Sequence, residues 1–131
     1  MSLDITPAVT AGTQLVQAYG DGGFRIANKS YQGSVLVLTD RTVPVSTRHA
    51  GELDIDAMRP IAERADEIDI LVVGCGETFS LPSDELRGQL RELAIVMEWM
   101  DTGAACRTFN VLMTEGRRAA AVLIAVDNEL G

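Results

Sequence analysis

Gly74-Cys75-Gly76 is the stretch of the sequence best suited to chemistry, because two glycines flank a thiol directly after an apolar run. Glycine-rich turns can cradle phosphates, but a Walker A loop needs a lysine after its last glycine, and Glu77 follows here. A dinucleotide-binding loop would carry a third glycine and open a helix directly, and Phe79 stands at that position. These departures argue against nucleotide binding, and no cofactor is predicted.

Cys75 could instead act as a nucleophile held on a sharp turn. A thiolate nucleophile needs a base to activate it, and the one histidine of the chain, His49, lies well upstream in the polar stretch Ser46–His49. Nothing in the spacing pairs the two side chains. The glycines equally fit an architectural role, in which a strand ends sharply where larger side chains would clash.

A binding cleft without covalent chemistry is the third interpretation. Ligands of open α/β sheets bind outside the carboxyl ends of parallel strands. Two such ends are predicted, at Gly74–Gly76 and at Asp101–Gly103, and both would open at one edge if their strands are parallel neighbours. The second loop begins a helix, whose free N–H groups favour an anion. The candidate ligand-binding residues are Gly74, Cys75, Gly76 and Thr102, together with Glu98 and Arg107.

Glu98 is the one charged residue in the apolar run Ile95–Met100. An unpaired buried carboxylate is costly, so Glu98 is expected to face a cation or the rim of the sheet. Arg107 and Arg117 are the candidate partners. Two interpretations stay open: a structural or solvated carboxylate, and a general acid or base.

The composition excludes several classes of function. A net charge of −8 argues against nucleic acid as a ligand, because affinity for it comes mostly from Lys and Arg meeting phosphates. Two separated cysteines and one histidine form neither a disulfide framework nor a metal-ligand cluster, so no metal site is predicted. No run of about 18 apolar residues and no basic, apolar leader is present. The expectation is a cytoplasmic protein that is not embedded in a membrane and keeps both thiols reduced.

Before about position 52, short apolar runs are separated by Gly, Asn and Asp, which predicts a meander of β-hairpins. The predicted strands cover Gln14–Tyr19, Phe24–Ala27 and Ser34–Leu38. Val43 and Val45 flank Pro44, and a proline at that point indicates an edge strand or an irregular one.

After that point, helical and strand patterns alternate. Continuous apolar runs predict strands covered on both faces at Ile68–Val73, Ile95–Met100 and Ala119–Val126. The predicted helices cover Met58–Ala65, Pro82–Leu93 and a segment that starts with Thr102 as N-cap and stops at Gly116.

The order β-α-β-α-β implies parallel strands joined by right-handed crossovers. The predicted fold class is α/β, with helices on the faces of a mixed sheet that the N-terminal β-meander completes. With 131 residues, the chain is expected to be a single domain, in which residues 1–13 form a loose N-terminal arm and residues 14–127 the folded core.

The segments MEWMDTGAACRTFNVLMTEGRRAAAVLIAV, YQGSVLVL and LVVGCGETFSLPSDELRGQL resemble a widespread family of small uncharacterised proteins. In animals this family includes a mitochondrial respiratory complex I assembly factor and the adipogenesis-associated Mth domain protein. The match runs from Gln14 to Val126, and Asp101–Arg117 is its most specific part. The resemblance implies a three-layer α/β fold with a central mixed sheet and no established catalytic residues. For the assembly factor it implies a partner-binding role in building NADH dehydrogenase.

Two functions of different classes follow. The first is a non-catalytic domain that binds other proteins, and the resemblance suggests NADH dehydrogenase subunits or assembly proteins as partners. The second is a small-molecule or anion-binding domain, or an enzyme, that uses the cleft at Gly74–Gly76 and Thr102. A third hypothesis is a homo-oligomer that pairs through exposed apolar residues on the N-terminal strands.

Overall fold

The computed structural model describes residues 13–77 and 80–127. Within these ranges lie eight strands and three α-helices. The strands are β1 (Val16–Gly20), β2 (Gly23–Ile26), β3 (Lys29–Gln32), β4 (Ser34–Val37), β5 (Thr42–Val45), β6 (Ile70–Gly74), β7 (Val96–Met100) and β8 (Ala119–Leu123). The helices are α1 (Arg59–Ala62), α2 (Asp84–Glu92) and α3 (Thr102–Thr114). The arm predicted over residues 1–13, apart from its last residue, and Phe79 lie outside the described residues.

A five-stranded mixed sheet forms the centre, with the strand order β5-β4-β8-β6-β7. Strands β6, β7 and β8 are parallel, and β4 and β5 run antiparallel beside them. The predicted parallel unit is thereby confirmed. Strand β5 lies at the edge, as Pro44 predicted, because a proline cannot donate a hydrogen bond to a further strand.

Two apolar clusters cover the faces of this sheet. On one face, α1 packs through Ile61 and α2 through Leu86 and Leu90, together with Met58, the residue directly before α1. On the other face, α3 packs through residues that include Phe109, beside a small antiparallel sheet of β1, β2 and β3. The protein is therefore a three-layer α/β structure, in agreement with the predicted fold class.

The first two hairpins do not extend the central sheet but form this second sheet. Both turns have two residues at positive φ, Asp21-Gly22 and Ala27-Asn28, a conformation that matches the twist of tightly connected strands. Gly33, at φ 87°, then leads the chain from β3 into β4 of the central sheet. Asn110 of α3 anchors the small sheet, since its amide accepts from the Val16 N–H (2.9 Å) and donates to the Val16 carbonyl (2.8 Å).

Strand β7 differs from its prediction as a strand covered on both faces. It is the outer neighbour of β6, because the chain crosses back over β6 to place β8 on the other side. Met97 and Trp99 pack toward α2, whereas Val96 and Glu98 are exposed. The apolar run Ile95–Met100 therefore forms a strand that is covered on one face and not on both.

The helix ends show which local signals decided them. Helix α1 is shorter than predicted, since it covers only Arg59–Ala62. Asp54 caps the turn that precedes this helix, because its Oδ1 accepts from the Ala57 N–H (2.8 Å). The predicted stop at Gly116 is confirmed, since this residue has φ 73° and donates to the Met113 carbonyl, while Arg117 donates to the Leu112 carbonyl. This pair of bonds satisfies carbonyls that the last turn of α3 would leave free.

Candidate functional site

The turns after β6 and β7 lie side by side at the carboxyl edge of the sheet. Their hydrogen-bond ladder continues beyond the strands: the Cys75 N–H donates to the Met100 carbonyl (2.8 Å), and the Thr102 N–H donates to the Gly76 carbonyl (3.0 Å). Sequence analysis required the two strands to be parallel neighbours, and they are. Gly74, Cys75, Gly76 and Thr102 are thus brought together.

The Thr102 side chain is fully buried and binds backbone on both sides. Its Oγ1 accepts from the Gly76 N–H (2.9 Å) and donates to the Ile124 carbonyl (2.7 Å). One hydroxyl therefore joins the ends of β6, β8 and α3. The hydroxyl uses its donor and one acceptor position inside the protein. This side chain therefore holds the two strand ends against the start of α3.

The N-cap of α3 is Asp101, and the prediction of Thr102 at this position is wrong. The Asp101 Oδ1 accepts from the Ala104 N–H (2.9 Å), and the backbone of Asp101 is extended. A carboxylate caps a helix as well as a hydroxyl does. Because Asp101 is the N-cap, Thr102 lies in the first turn of α3, and its side chain is buried in the protein interior.

Gly74 lets α3 approach β6 closely. A Cβ on this residue would lie 3.0 Å from Thr102 Cα and 3.1 Å from Ala105 Cβ, which is tighter than ordinary packing. Gly76 serves a different need, since its φ of 102° is one that side-chain-bearing residues rarely adopt. Both glycines therefore have an architectural reason.

Cys75 is a buried core thiol. It belongs to the apolar cluster beneath α1 and α2, and its Sγ lies 3.8 Å from the Val73 carbonyl. Burial raises the pKa of the Cys75 thiol, and backbone hydrogen bonds at Ser80 and Met100 act in the opposite direction. Burial likewise raises the pKa of Cys106 to about 12. A protonated, enclosed thiol is a poor nucleophile.

Both thiols are therefore expected to resist labelling by a disulfide reagent such as DTNB in the native protein. The reactive thiolate is scarce because burial raises the pKa of each thiol, and both cysteines expose little of their surface. Both should react completely once guanidinium unfolds the chain. Variants Cys75→Ser and Cys106→Ser assign the two reactions, and rapid labelling of either native thiol would contradict this description.

Glu98 and Arg107 lie apart from the rim. Glu98 is exposed on β7, and no ion pair joins it to another residue within 13–77 or 80–127. The predicted pairing with Arg107 or Arg117 is wrong, because an edge strand leaves the carboxylate in solvent. Arg107 is exposed on α3.

A cleft of about 820 Å³ opens on the other side of Gly76. It lies at the carboxyl ends of β6 and β8, beside the start of β4 and the segment that follows β5. Cys75 and Gly76 are among its lining residues, whereas Gly74, Glu98, Thr102 and Arg107 are not. The polar groups that line it are Gln32, Ser34, Ser46, Thr47, Arg48, His49, Glu77, Ser80 and Asp127.

Arg48 and Ser34 line this cleft and are not among the residues predicted from the sequence. The polar run Ser46–His49 directly after an edge strand was the available signal. Its position at the cleft depends on the pairing of β4 with β8, which joins residues far apart in the chain. Ser34 helps to hold this wall, because its Oγ accepts from the Ala125 N–H (2.9 Å).

Two classes of site are not found in the described part of the chain. No three His, Cys, Asp or Glu side chains among residues 13–77 and 80–127 are placed to hold a metal ion. None of the helices in these ranges is long and apolar enough to span a bilayer.

Residues 16–124 match the family described as "Protein of unknown function (DUF498/DUF598)". The chain belongs to this family. It is 33% identical to an uncharacterized protein from Rhodobacter capsulatus over 87% of this chain and 86% of that protein. It is 30% identical to the Danio rerio protein "NADH dehydrogenase (ubiquinone) 1 alpha subcomplex assembly factor 3". That match covers 88% of this chain and 66% of that protein.

A solved structure supports the fold of this DUF498/DUF598 member. The crystal structure described as "an outer membrane protein from the Bartonella henselae" is 38% identical and superposes with a TM-score of 0.82. The superposition covers 89% of this chain and 98% of that one. The family resemblance drawn from the sequence is thus confirmed, including its link to the assembly factors.

Proposed function

We propose that this DUF498/DUF598 member is a non-catalytic protein-binding domain that takes part in assembly of a respiratory NADH dehydrogenase. The observation that carries the proposal is the similarity to the Danio rerio assembly factor, which extends over 88% of this chain. The matched region is less than two thirds of that protein, so the proposal concerns the shared domain. The buried, protonated state of Cys75 is consistent with a role that needs no nucleophile.

A surface suited to a protein partner lies along β7 and α3. Among the strands of residues 13–77 and 80–127, β7 has a neighbour on one side only, so its other side presents backbone N–H and C=O groups to a partner strand. Val96 is 60% exposed on this strand, and Val111 is 54% exposed on α3. Both belong to the few large hydrophobic side chains that the described residues expose.

Val96 and Val111 lie at the same end of the molecule. Met100 packs in the apolar cluster beneath α3, and side chains alternate along a strand, so Val96 shares that face of the sheet. Helix α3 runs back along the sheet, and nine residues from Thr102 to Val111 span about 13 Å. Four residues from Met100 back to Val96 also span about 13 Å.

Glu98 and Arg107 contribute charge to this β7–α3 surface. Arg107 is one helical turn before Val111 and therefore shares its face of α3. Glu98 stands at the middle of β7, so two copies paired antiparallel about this point would place like charges opposite each other. This arrangement favours a different protein, with a cation opposite Glu98, over self-pairing through β7.

Homo-oligomer formation stays a prediction, but the described residues do not supply the exposed, large apolar side chains on the N-terminal strands that suggested it. The exposed large hydrophobic residues of the described chain are Leu81, Val96 and Val111, and none lies in β1, β2 or β3.

The test is affinity purification of tagged protein from its native host with matched surface variants. The wild type is expected to capture NADH dehydrogenase subunits or their assembly proteins. Val96→Glu combined with Val111→Glu should reduce this capture about tenfold or more, because central apolar anchors dominate protein interfaces. Leu81→Glu places one such charge on an exposed leucine elsewhere, so it is the control for each single variant, Val96→Glu and Val111→Glu, and should leave capture unchanged.

Two results would count against this proposal in different ways. Purified material free of NADH dehydrogenase subunits and assembly proteins would remove the assembly role. Equal capture by the wild type and the double variant would retain the role and remove the β7–α3 surface.

A further inference from the structure

The cleft beside Gly76 has the dimensions of a small-molecule site. Its volume of about 820 Å³ falls in the range of roughly 300–1,000 Å³ that is usual for ligand pockets. It also lies where open α/β sheets bind ligands, at the carboxyl ends of the parallel strands β6 and β8. Its location therefore favours a ligand independently of the β7–α3 surface.

Glycines keep the cleft open. Within the described part of the chain, a Cβ on Gly76 would meet only Ile124 Cγ2, at 3.8 Å, and a Cβ on Gly33 would meet nothing within 4 Å. Both residues also have positive φ, so their conformations favour glycine for a reason separate from space. Bare backbone thus borders the cavity at two places.

The two sides of the cleft differ in charge. Arg48 and His49 lead into Ala50, which is buried in the cluster beneath α1 and α2. Asp127 lies on the opposite side of the central sheet, with its Oδ1 3.7 Å from where a Cβ of Gly22 would stand. The cleft therefore has basic groups toward one face of the sheet and a carboxylate toward the other.

Hydrogen-bonding groups surround the basic side. Ser46, Thr47 and Ser80, which carry hydroxyl groups, are among the residues that line the cleft with Arg48 and His49. Arg48 forms no ion pair with another residue of the described ranges. Its guanidinium can therefore donate to an incoming carboxylate or phosphate, which it matches in geometry. Glu77 also lines the cleft and adds a negative charge that limits affinity for highly charged anions.

We propose that this cleft binds a small organic acid, with its carboxylate or phosphate group against Arg48 and His49 and a hydrogen-bond donor directed toward Asp127. Arg48 supplies charge-assisted hydrogen bonds, and the hydroxyl groups complete the coordination of the anion. The carboxylate of Asp127 orients the ligand by accepting from its other end.

The test is an NMR titration of the full chain labelled with nitrogen-15, using glycolate, glycine and inorganic phosphate as probes. Glycolamide, the neutral analogue of glycolate, is the control ligand. Backbone shifts are expected at Ser34, at residues 46–49 and at Gly76, with glycolate or phosphate but not with glycolamide. Comparison of glycolate with phosphate decides which anionic group the site prefers, and comparison of glycine with glycolate tests whether an ammonium donor binds better than a hydroxyl donor near Asp127.

Variants separate recognition by Arg48 from general charge effects. Arg48→Ala should weaken binding about tenfold, because hydrogen bonds to charged groups contribute that much. Arg91→Ala is the matched control, since this exposed arginine lies in the last turn of α2, away from the cleft, and the variant should bind as the wild type does. Arg48 is exposed, so the Arg48→Ala variant is expected to fold.

The proposal is overturned if none of the three charged probes shifts the cleft residues, or if glycolamide shifts them equally. It is also overturned if Arg48→Ala binds the probes as tightly as Arg91→Ala. None of these results bears on the assembly role, because the cleft and the β7–α3 surface share no residue.

Discussion

Thr102→Val is expected to lower the free energy of unfolding by about 3 kcal/mol, although valine has almost the same shape as threonine. The substitution removes the hydroxyl that accepts from the Gly76 N–H and donates to the Ile124 carbonyl, and both backbone groups stay buried. Each buried group without a partner costs roughly 1–3 kcal/mol. Guanidinium unfolding followed by circular dichroism measures the change.

Thr114→Val is the matched control for this substitution. Its hydroxyl donates to the Val111 carbonyl near the end of α3, where water can replace the bond. The expected change is below about 0.5 kcal/mol, as for most surface substitutions. Equal effects of the two variants would show that the Thr102 hydroxyl does not hold the rim together.

Gly74→Ala is expected to destabilise the protein by about 2 kcal/mol, because the added methyl group has no room. Its position lies 3.0 Å from Thr102 Cα, a backbone atom that moves only if α3 shifts away from β6. Overpacking of a well-packed core usually costs about 1–3 kcal/mol. Thermal unfolding of the variant reports the loss.

Gly88→Ala makes the same chemical change with the opposite expected sign. Gly88 lies inside α2, and a Cβ there would meet nothing within 4 Å. Alanine is the better helix former by about 1 kcal/mol, so the variant should be more stable than the wild type. A stable Gly74→Ala protein would mean that α3 does not pack on β6 as closely as described.

Local sequence signals predicted the parts of the fold that depend on neighbouring residues. The alternation of apolar strands and helices predicted the parallel unit, Pro44 predicted an edge strand, and Gly116 predicted the end of α3. The exchange of roles between Asp101 and Thr102 was beyond such signals, because both residue types cap helices and only packing against β8 chooses between them.

The remaining differences depend on contacts between distant parts of the chain. An apolar run such as β7 carries no sign of which strand becomes the outermost one. The cleft wall at Arg48 and His49 depends on the register Val35↔Leu123, a pairing without a local signal. Local patterns therefore placed Gly74–Gly76 and Thr102 side by side, and a ligand-binding role for these residues stays a prediction, whereas the cleft that Cys75 and Gly76 line could not be located from the sequence.

The central position of β8 has a consequence for biosynthesis. This strand lies between β4 and β6, yet it is the last strand of the described chain. Until residues 119–123 leave the ribosome, the antiparallel hairpin β4–β5 and the parallel pair β6–β7 have no strand between them. The edges of β4 and β6 that β8 will cover are then unpaired. Folding of the whole layer must then wait for the final strand to insert, and a nascent chain that stalls before it has strand edges ready to aggregate.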